Sequence, residues 1–173
     1  MTRAVLSIGS NLGDRLARLQ SVIDGLGEAV LAVSSVYETV PWGPVEQGPF
    51  LNAVVIADDP KVDQHGWLCL GQRLEHAAER VRGQRWGPRT LDVDLVSCSA
   101  DGTEIVVRED DLTLPHPLAH LRAFVLVPWL DVDPAAALTV AGMSTPVTRL
   151  LDGIEPAALL GVTPTDLALR SRA

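Results

Sequence analysis

Arg80-Val-Arg-Gly-Gln-Arg-Trp-Gly-Pro-Arg-Thr-Leu-Asp-Val-Asp-Leu95 is the stretch on which the reading of this chain turns. Its end sets Leu91, Val93 and Leu95 against Asp92 and Asp94. Alternation with period two is a strand pattern, so the aliphatic side chains face a core and both carboxylates leave the opposite face. Two acids at i and i+2 repel unless a cation lies between them. Mg²⁺, a hard cation that prefers oxygen ligands, suits such a pair. Just upstream come Arg80, Arg82, Arg85 and Arg89. Guanidinium forks bind phosphate oxygens, and arginines with a metal are the usual apparatus of phosphoryl transfer. Solvated strand acids paired with surface arginines would give a similar string. Trp86-Gly-Pro-Arg89 argues for the site, because a rigid Gly-Pro turn holds an aromatic ring and an arginine in fixed directions.

Working back from this stretch, Trp67, Leu70, Leu74, Ala77, Ala78 and Val81 recur at helical spacing, with Gln72, Glu75, Glu79 and Arg82 on the polar side. Before that helix, residues 50–57 read as a strand with one amide, Asn52, among apolar neighbours. A buried amide must be hydrogen-bonded, either to the backbone or to the edge of a planar heterocycle. Residues 39–49 hold Pro41, Pro44 and Pro49 with Gly43 and Gly48, a long loop of the kind that tends to be functional. Residues 29–36 read as one strand continuing to Tyr37. The chain opens with a strand at 4–8, a polar glycine loop at 9–14 and a helix marked by Leu12, Leu16, Leu19, Val22, Ile23 and Leu26. That loop reads as a turn with a helix cap; it lacks the lysine of a P-loop and the glycine pattern of a dinucleotide fingerprint.

Working forward, a hairpin is expected around Ala100-Asp101-Gly102, an extended segment at 112–117 and a helix over 118–130. His116 and His120 would sit four apart, but without a third His or Cys they do not make a zinc site. Short elements follow at 135–142 and 147–151, and 159–173 reads as a loosely ordered tail. Strand, helix, strand, then strand, helix, strand is the order of an α+β, ferredoxin-like αβ sandwich with an antiparallel sheet and flanking helices.

A chain of 173 residues fits one domain spanning 1–173, with the motifs in 3–130 and 131–173 partly ordered. Its net charge of −8 disfavours nucleic acid and anionic membranes as partners. Four of its fourteen basic residues crowd into positions 80–89, which implies a local anion site. Cys69 and Cys98 lack metal-ligand spacing and read as buried free thiols of a reducing compartment. With no signal peptide and no run long enough to span a bilayer, a cytoplasmic location is expected.

Ser7-Ile-Gly-Ser-Asn-Leu-Gly-Asp, Pro49-Phe-Leu-Asn, Arg85-Trp-Gly-Pro-Arg-Thr-Leu-Asp-Val-Asp-Leu and Leu114-Pro-His-Pro with Arg122 and Phe124 follow one another in that order. In these motifs, from about Arg3 to Leu130, the chain resembles the 6-hydroxymethyl-7,8-dihydropterin pyrophosphokinases of folate biosynthesis. The resemblance implies transfer of the pyrophosphoryl group of ATP to the pterin hydroxymethyl oxygen, with release of AMP. It implies that Asp92 and Asp94 hold two Mg²⁺ ions. Arg80, Arg82, Arg89, His116 and Arg122 would contact phosphates, with Gln72 and Glu75 nearby and adenine by Leu95 and Thr113. The segment between Arg80 and Trp86 is one residue shorter than in some relatives, so Arg82 or Arg85 takes one phosphate-contacting place. The pterin would lie between Phe124 and Phe50, lined by Thr39, Pro41 and Trp42, read by Asn52 and covered by Trp86. Arg80, Arg82, Arg89 and Asp94 would be the catalytic set, Asp94 helping to remove the hydroxyl proton. A monomer is expected. A metal-dependent phosphodiesterase or a noncatalytic nucleotide-binding protein are the alternatives.

Overall fold

A computed structural model of the chain describes residues 2–78 and 90–172. Arg80, Arg82, Arg85, Trp86 and Arg89 therefore lie outside the described residues. The first half contains β1 (Thr2–Ser10), α1 (Arg15–Leu26), β2 (Val30–Val33), β3 (Tyr37–Thr39), β4 (Phe50–Asp59) and α2 (Gln64–Ala77). The second half contains β5 (Asp92–Ala100), β6 (Thr103–Glu104), β7 (Val107–Arg108), β8 (Thr113–Leu114), α3 (Ala123–Val132), β9 (Ala137–Val140), β10 (Met143–Pro146), α4 (Val147–Asp152), α5 (Pro156–Leu160) and β11 (Val162–Pro164).

The main sheet runs β11-β3-β4-β1-β5-β6, with β2 also on β4. Its strand pairs are antiparallel. This is the split β-α-β arrangement of the ferredoxin-like sandwich. Register sorts the residues onto two faces. One face stacks Ala53, Ile8 and Val93 in a row and Val55, Leu6 and Leu95 in the next. These meet Leu19, Val22, Ile23 and Leu26 of α1 and Trp67 of α2. Each helix starts on an aspartate cap: Asp14 accepts the Ala17 N–H and Asp63 accepts the Gly66 N–H. A Cβ on Gly25 would lie 2.4 Å from Leu74, so that glycine lets α1 approach α2 closely.

On the other face, Val5, Val54 and Val96 pack with Val125, Leu126 and Trp129 of α3 and with Ala136, Leu138 and Val147 beyond it. The same face carries two rows nearer its end: Val54, Ser7 and Asp94, then Asn52, Gly9 and Asp92. A bulge in β5 follows, between the pairs Leu6–Leu95 and Val5–Ser97. Val96 occupies it and accepts the His116 N–H at 2.8 Å.

Several expectations need correction. Residues 29–37 do not form one strand. Val33 pairs with Val55 and Tyr37 with Asn52, so β2 and β3 are separated by a break with one residue more than β4. Ser34 holds it: its N–H donates to the Val54 carbonyl and its hydroxyl accepts the Val54 N–H, both at 2.9 Å. The expected helix over 118–130 begins only at Ala123, after a 3₁₀ turn at Ala119–Leu121. His116 precedes that turn and His120 lies in it, so the two share no α-helix. Leu12 lies in the loop before α1 and is exposed. Of the two free cysteines, Cys98 is buried but Cys69 is exposed. The tail expected to be loose contains the end of α5 and all of β11, and β11 joins the main sheet. No helix among the described residues is long and apolar enough to cross a membrane.

Candidate active site

β5 presents Asp92 and Asp94, both half-buried, on the face shared with α3, while Val93 and Leu95 point into the α1–α2 core. Glu75 of α2 fastens the strand from behind: it is buried, and its Oε1 accepts the Val93 N–H at 2.9 Å. Gln72, on the same helix, is exposed. Leu95 meets the sequence pattern but directs its side chain away from the carboxylates. Thr113 is half-buried in the small β7–β8 pair.

In the row beside Asp92, Asn52 is 5 % exposed. Its Oδ1 accepts the Thr39 hydroxyl at 2.6 Å and its Nδ2 donates to the Ile8 carbonyl at 3.2 Å. A Cβ on Gly9 would come within 2.4 Å of that Nδ2. Glycine at this point of β1 is what lets the amide lie across the strand toward the Asp92 column. Two of the four hydrogen-bonding places of the Asn52 amide are used in this way, one donor and one acceptor.

Arg122 stands at the N-cap position of α3 and is 8 % exposed. A helix N-terminus disfavours a cation, so the guanidinium needs other support. Its Nη1 lies 3.4 Å from Asp94 Oδ2, and its carbon lies 5.2 Å from the Trp42 ring centre and 5.5 Å from that of Phe124. Cation–π contact with two rings and a loose ion pair together hold the charge in the cleft. His116 Nδ1 accepts the Leu118 N–H at 3.1 Å, which leaves the ring proton on Nε2. Burial, then the Arg122 charge, push its pKa down to about 4 against an opposing pull from Asp92. At neutral pH the ring is an uncharged donor.

Pro41 and Trp42 lie in the loop 40–49, and half-buried Phe50 begins β4 where that loop ends. Two residues not singled out from the sequence tie the end of this loop down. Asn11 donates to the Gln47 side chain at 2.9 Å and to the Gly48 carbonyl at 3.0 Å. Arg15 donates to the Pro49 carbonyl at 3.0 Å and pairs with Glu38 at 3.3 Å. Their signal was present in the polar glycine loop read as a turn with a cap. The partners, 34 to 37 residues away, are not visible in the sequence.

Paired carboxylates, a held guanidinium and a neutral imidazole on one face of a ferredoxin-like sheet are groups that could hold a polyanion and a metal, the donor types that a phosphoryl-transfer enzyme uses. A sequence profile of the family described as 7,8-dihydro-6-hydroxymethylpterin-pyrophosphokinase matches residues 5–134. The chain is 65 % identical over 162 residues to the 2-amino-4-hydroxy-6-hydroxymethyldihydropteridine pyrophosphokinase of Mycobacterium tuberculosis, covering 91 % of this chain and 86 % of that one. It is 43 % identical to the enzyme of the same name from Methylorubrum extorquens, over 78 % of this chain and 84 % of that one. Among solved structures, one described as HPPK-DHPS in complex with substrates matches with TM-score 0.65 at 12 % identity, over 88 % of this chain. The chain spans 44 % of that longer protein, and at this identity the likeness concerns the fold. The chain belongs to the 7,8-dihydro-6-hydroxymethylpterin-pyrophosphokinase family. It is an ATP-dependent pyrophosphokinase of folate biosynthesis that acts on hydroxymethyldihydropterin, with Mg²⁺ in support.

Proposed function

We propose that this enzyme joins its two substrates across the row formed by Asn52, Gly9 and Asp92, and this row is the observation that carries the assignment of roles. Asn52 and Asp92 are two strands apart, roughly 10 Å at the usual strand spacing. A pterin edge at Asn52 would bring its hydroxymethyl group over Gly9 toward phosphates gathered at Asp92 and Asp94. Thr39 orients the amide, and its spare donor and acceptor read the heterocycle. Phe124, Phe50, Pro41 and Trp42 line the ring, and Trp86 covers it. Such a slot, flat and apolar with amide groups at the rim, matches what a pterin requires.

Asp92 and Asp94, half-buried on one face, are an oxygen donor set that fits Mg²⁺, and we assign them two ions. Bound there, the ions neutralise charge on the triphosphate. The protein's own part is positioning and electrostatics, which carry most of phosphoryl transfer. Arg122 supplies a preformed positive charge beside Asp94, and His116 donates its Nε2 proton to a phosphate oxygen without a charge of its own. Arg80, Arg82 or Arg85, and Arg89 contribute the remaining phosphate contacts. Gln72, Thr113 and the backbone at Leu95 border the nucleotide, and Glu75 keeps β5 in place. Asp94 assists removal of the hydroxyl proton. We further propose that the chain acts as a monomeric single domain in the cytoplasm.

Incubation with ATP, Mg²⁺ and 6-hydroxymethyl-7,8-dihydropterin tests the reading. AMP should form only when pterin is present. Asp92→Asn and Asp94→Asn should each lower turnover by orders of magnitude while the fold is retained. Near-normal activity in either variant would remove that residue from the metal site.

A further inference from the structure

The family match ends at residue 134, yet the chain continues back into the main sheet. β11 pairs with β3: Val162 lies opposite Thr39, Thr163 opposite Glu38 and Pro164 opposite Tyr37. β3 has only three residues and is bounded by the Ser34 break on one side and the loop 40–49 on the other. Without β11 it would be a short edge strand with β4 as its one strand partner among the described residues. We infer that residues 161–170 are a strap that positions the pterin-binding loop, so that a C-terminal segment outside the family's shared core sets affinity for the pterin. This rests on the assignment of Thr39, Trp42 and Asn52 to the pterin slot.

Three sets of contacts support the strap. Just past β3, the Val40 N–H donates to the Gly161 carbonyl at 2.9 Å, fixing the first residue of the loop. A Cβ on Gly161 would lie 3.3 Å from the Val40 side chain, so the two segments are already in close contact. Just before β3, Thr165 donates both its N–H, at 3.1 Å, and its hydroxyl, at 2.7 Å, to the Val36 carbonyl within the break. Farther on, Gln20 of α1 and the backbone of Arg170 exchange two hydrogen bonds, at 2.8 and 2.9 Å. The strap thus runs from α5 across both ends of β3 and is anchored on α1. What it holds leads to the slot. Thr39, at the end of β3, hydrogen-bonds Asn52, and three residues later Trp42 lies against Arg122. Asn11 and Arg15 already hold the far end of the loop, so the strap completes the tether at its near end.

The physical effect is preorganisation. A loop fixed at both ends loses less conformational freedom on binding its ligand, and loosening one end weakens affinity without removing a contact. The effect is specific, because β11 adjoins β3, whereas Asp92 and Asp94 lie on β5, three strands farther across the sheet.

The test uses Thr163→Pro in the full chain. Val40 and Gly161 are a hydrogen-bonded pair, so by antiparallel alternation Thr163 and Glu38 are one too, and proline removes that donor. Thr163→Val keeps the donor and serves as the conservative control. Thr163→Pro should raise KM for the pterin about five- to twentyfold, leave KM for ATP within about twofold and change kcat little, as expected for lost preorganisation. Thr163→Val should behave as the parent. Thr165→Val should shift pterin KM in the same direction by less, and it carries the test if the proline variant does not fold. An unchanged pterin KM in folded Thr163→Pro and Thr165→Val overturns the inference, as does an equal loss for both substrates. Asn52→Ala separates this from failure of the slot itself. If it weakens pterin binding and the strap variants do not, the strap alone is wrong. If Asn52→Ala has no effect, the slot assignment falls and the inference with it.

Discussion

Gly9 is a residue whose meaning depends on a neighbour 43 positions away. Its missing Cβ makes room for the Asn52 amide, and an added methyl would lie 2.4 Å from Nδ2. Gly9→Ala should displace the amide, cost about 1–3 kcal/mol of stability by overpacking and weaken pterin binding at least as much as Asn52→Ala. Combining Gly9→Ala with Asn52→Ala removes the clash, so denaturant melts should find the double variant more stable than Gly9→Ala alone. A strictly additive loss would mean the two side chains do not compete for this space. His116 offers a second test. Its folded pKa of about 4 lies below the ordinary 6.5, so between these pH values the unfolded chain holds a proton that the folded chain does not. Stability from this group is fully present above about pH 6.5 and declines as pH falls toward 4, by about 1–3 kcal/mol after allowance for solvent. Urea melts of the chelated, ligand-free protein should show that slope, and His116→Gln should flatten it.

Among the elements, those with strong periodicity were legible. The strand of Asp92 and Asp94, the Asn52 strand and the two helices behind them stand where alternation and helical spacing put them. The elements that differed are those whose form is decided by distant partners. Ser34 divides β2 from β3 because its hydroxyl takes the place of a backbone partner for Val54, which no local pattern announces. β11 is three residues long and takes its conformation from β3, so alone it resembles a tail. α3 begins later than its apolar run implies, which leaves Arg122 at the helix start, facing Asp94, instead of on a helix flank. The other end of α3 also reaches the sheet: Asp131 accepts the Ser35 N–H at 2.7 Å. Burial, with the charge and hydrogen bond of Asp131, raises the pKa of Tyr37. Tyr37 is the single tyrosine of the chain, so its ultraviolet titration reports one group. Asp131→Ala should lower that pKa toward, but not to, the ordinary value, since burial is the larger cause. It should also cost about 1 kcal/mol, the worth of an exposed hydrogen bond. An unmoved titration would show that α3 does not hold the break.

Over the whole molecule, one sheet divides two cores of different consequence. The α1–α2 core lies behind the carboxylates, whereas the α3 core shares the face that carries Asp94 and Asn52. Leu19 and Leu126 are both fully buried, one in each core. Truncating either to alanine removes the same atoms and leaves a similar void, so each should cost about 2–5 kcal/mol of stability. Their effects on function should part. Leu126 belongs to α3 itself, the helix that Arg122 caps and whose first turn holds Phe124, and a collapse there moves the guanidinium relative to Asp94. Small misplacements are costly where transfer depends on alignment. Leu19 packs on the far side of the sheet, where α1 meets β1 and β4, and it adjoins neither Arg122 nor the helix that presents it; β1, between that core and the site, is hydrogen-bonded on both edges. With activity normalised to the folded fraction, Leu126→Ala should lower kcat at least tenfold more than Leu19→Ala at comparable loss of stability, a difference of about 1.4 kcal/mol in the barrier. Equal kcat in the two variants would mean that Arg122 is positioned by its own contacts with Asp94, Trp42 and Phe124, and that the α3 core serves stability alone.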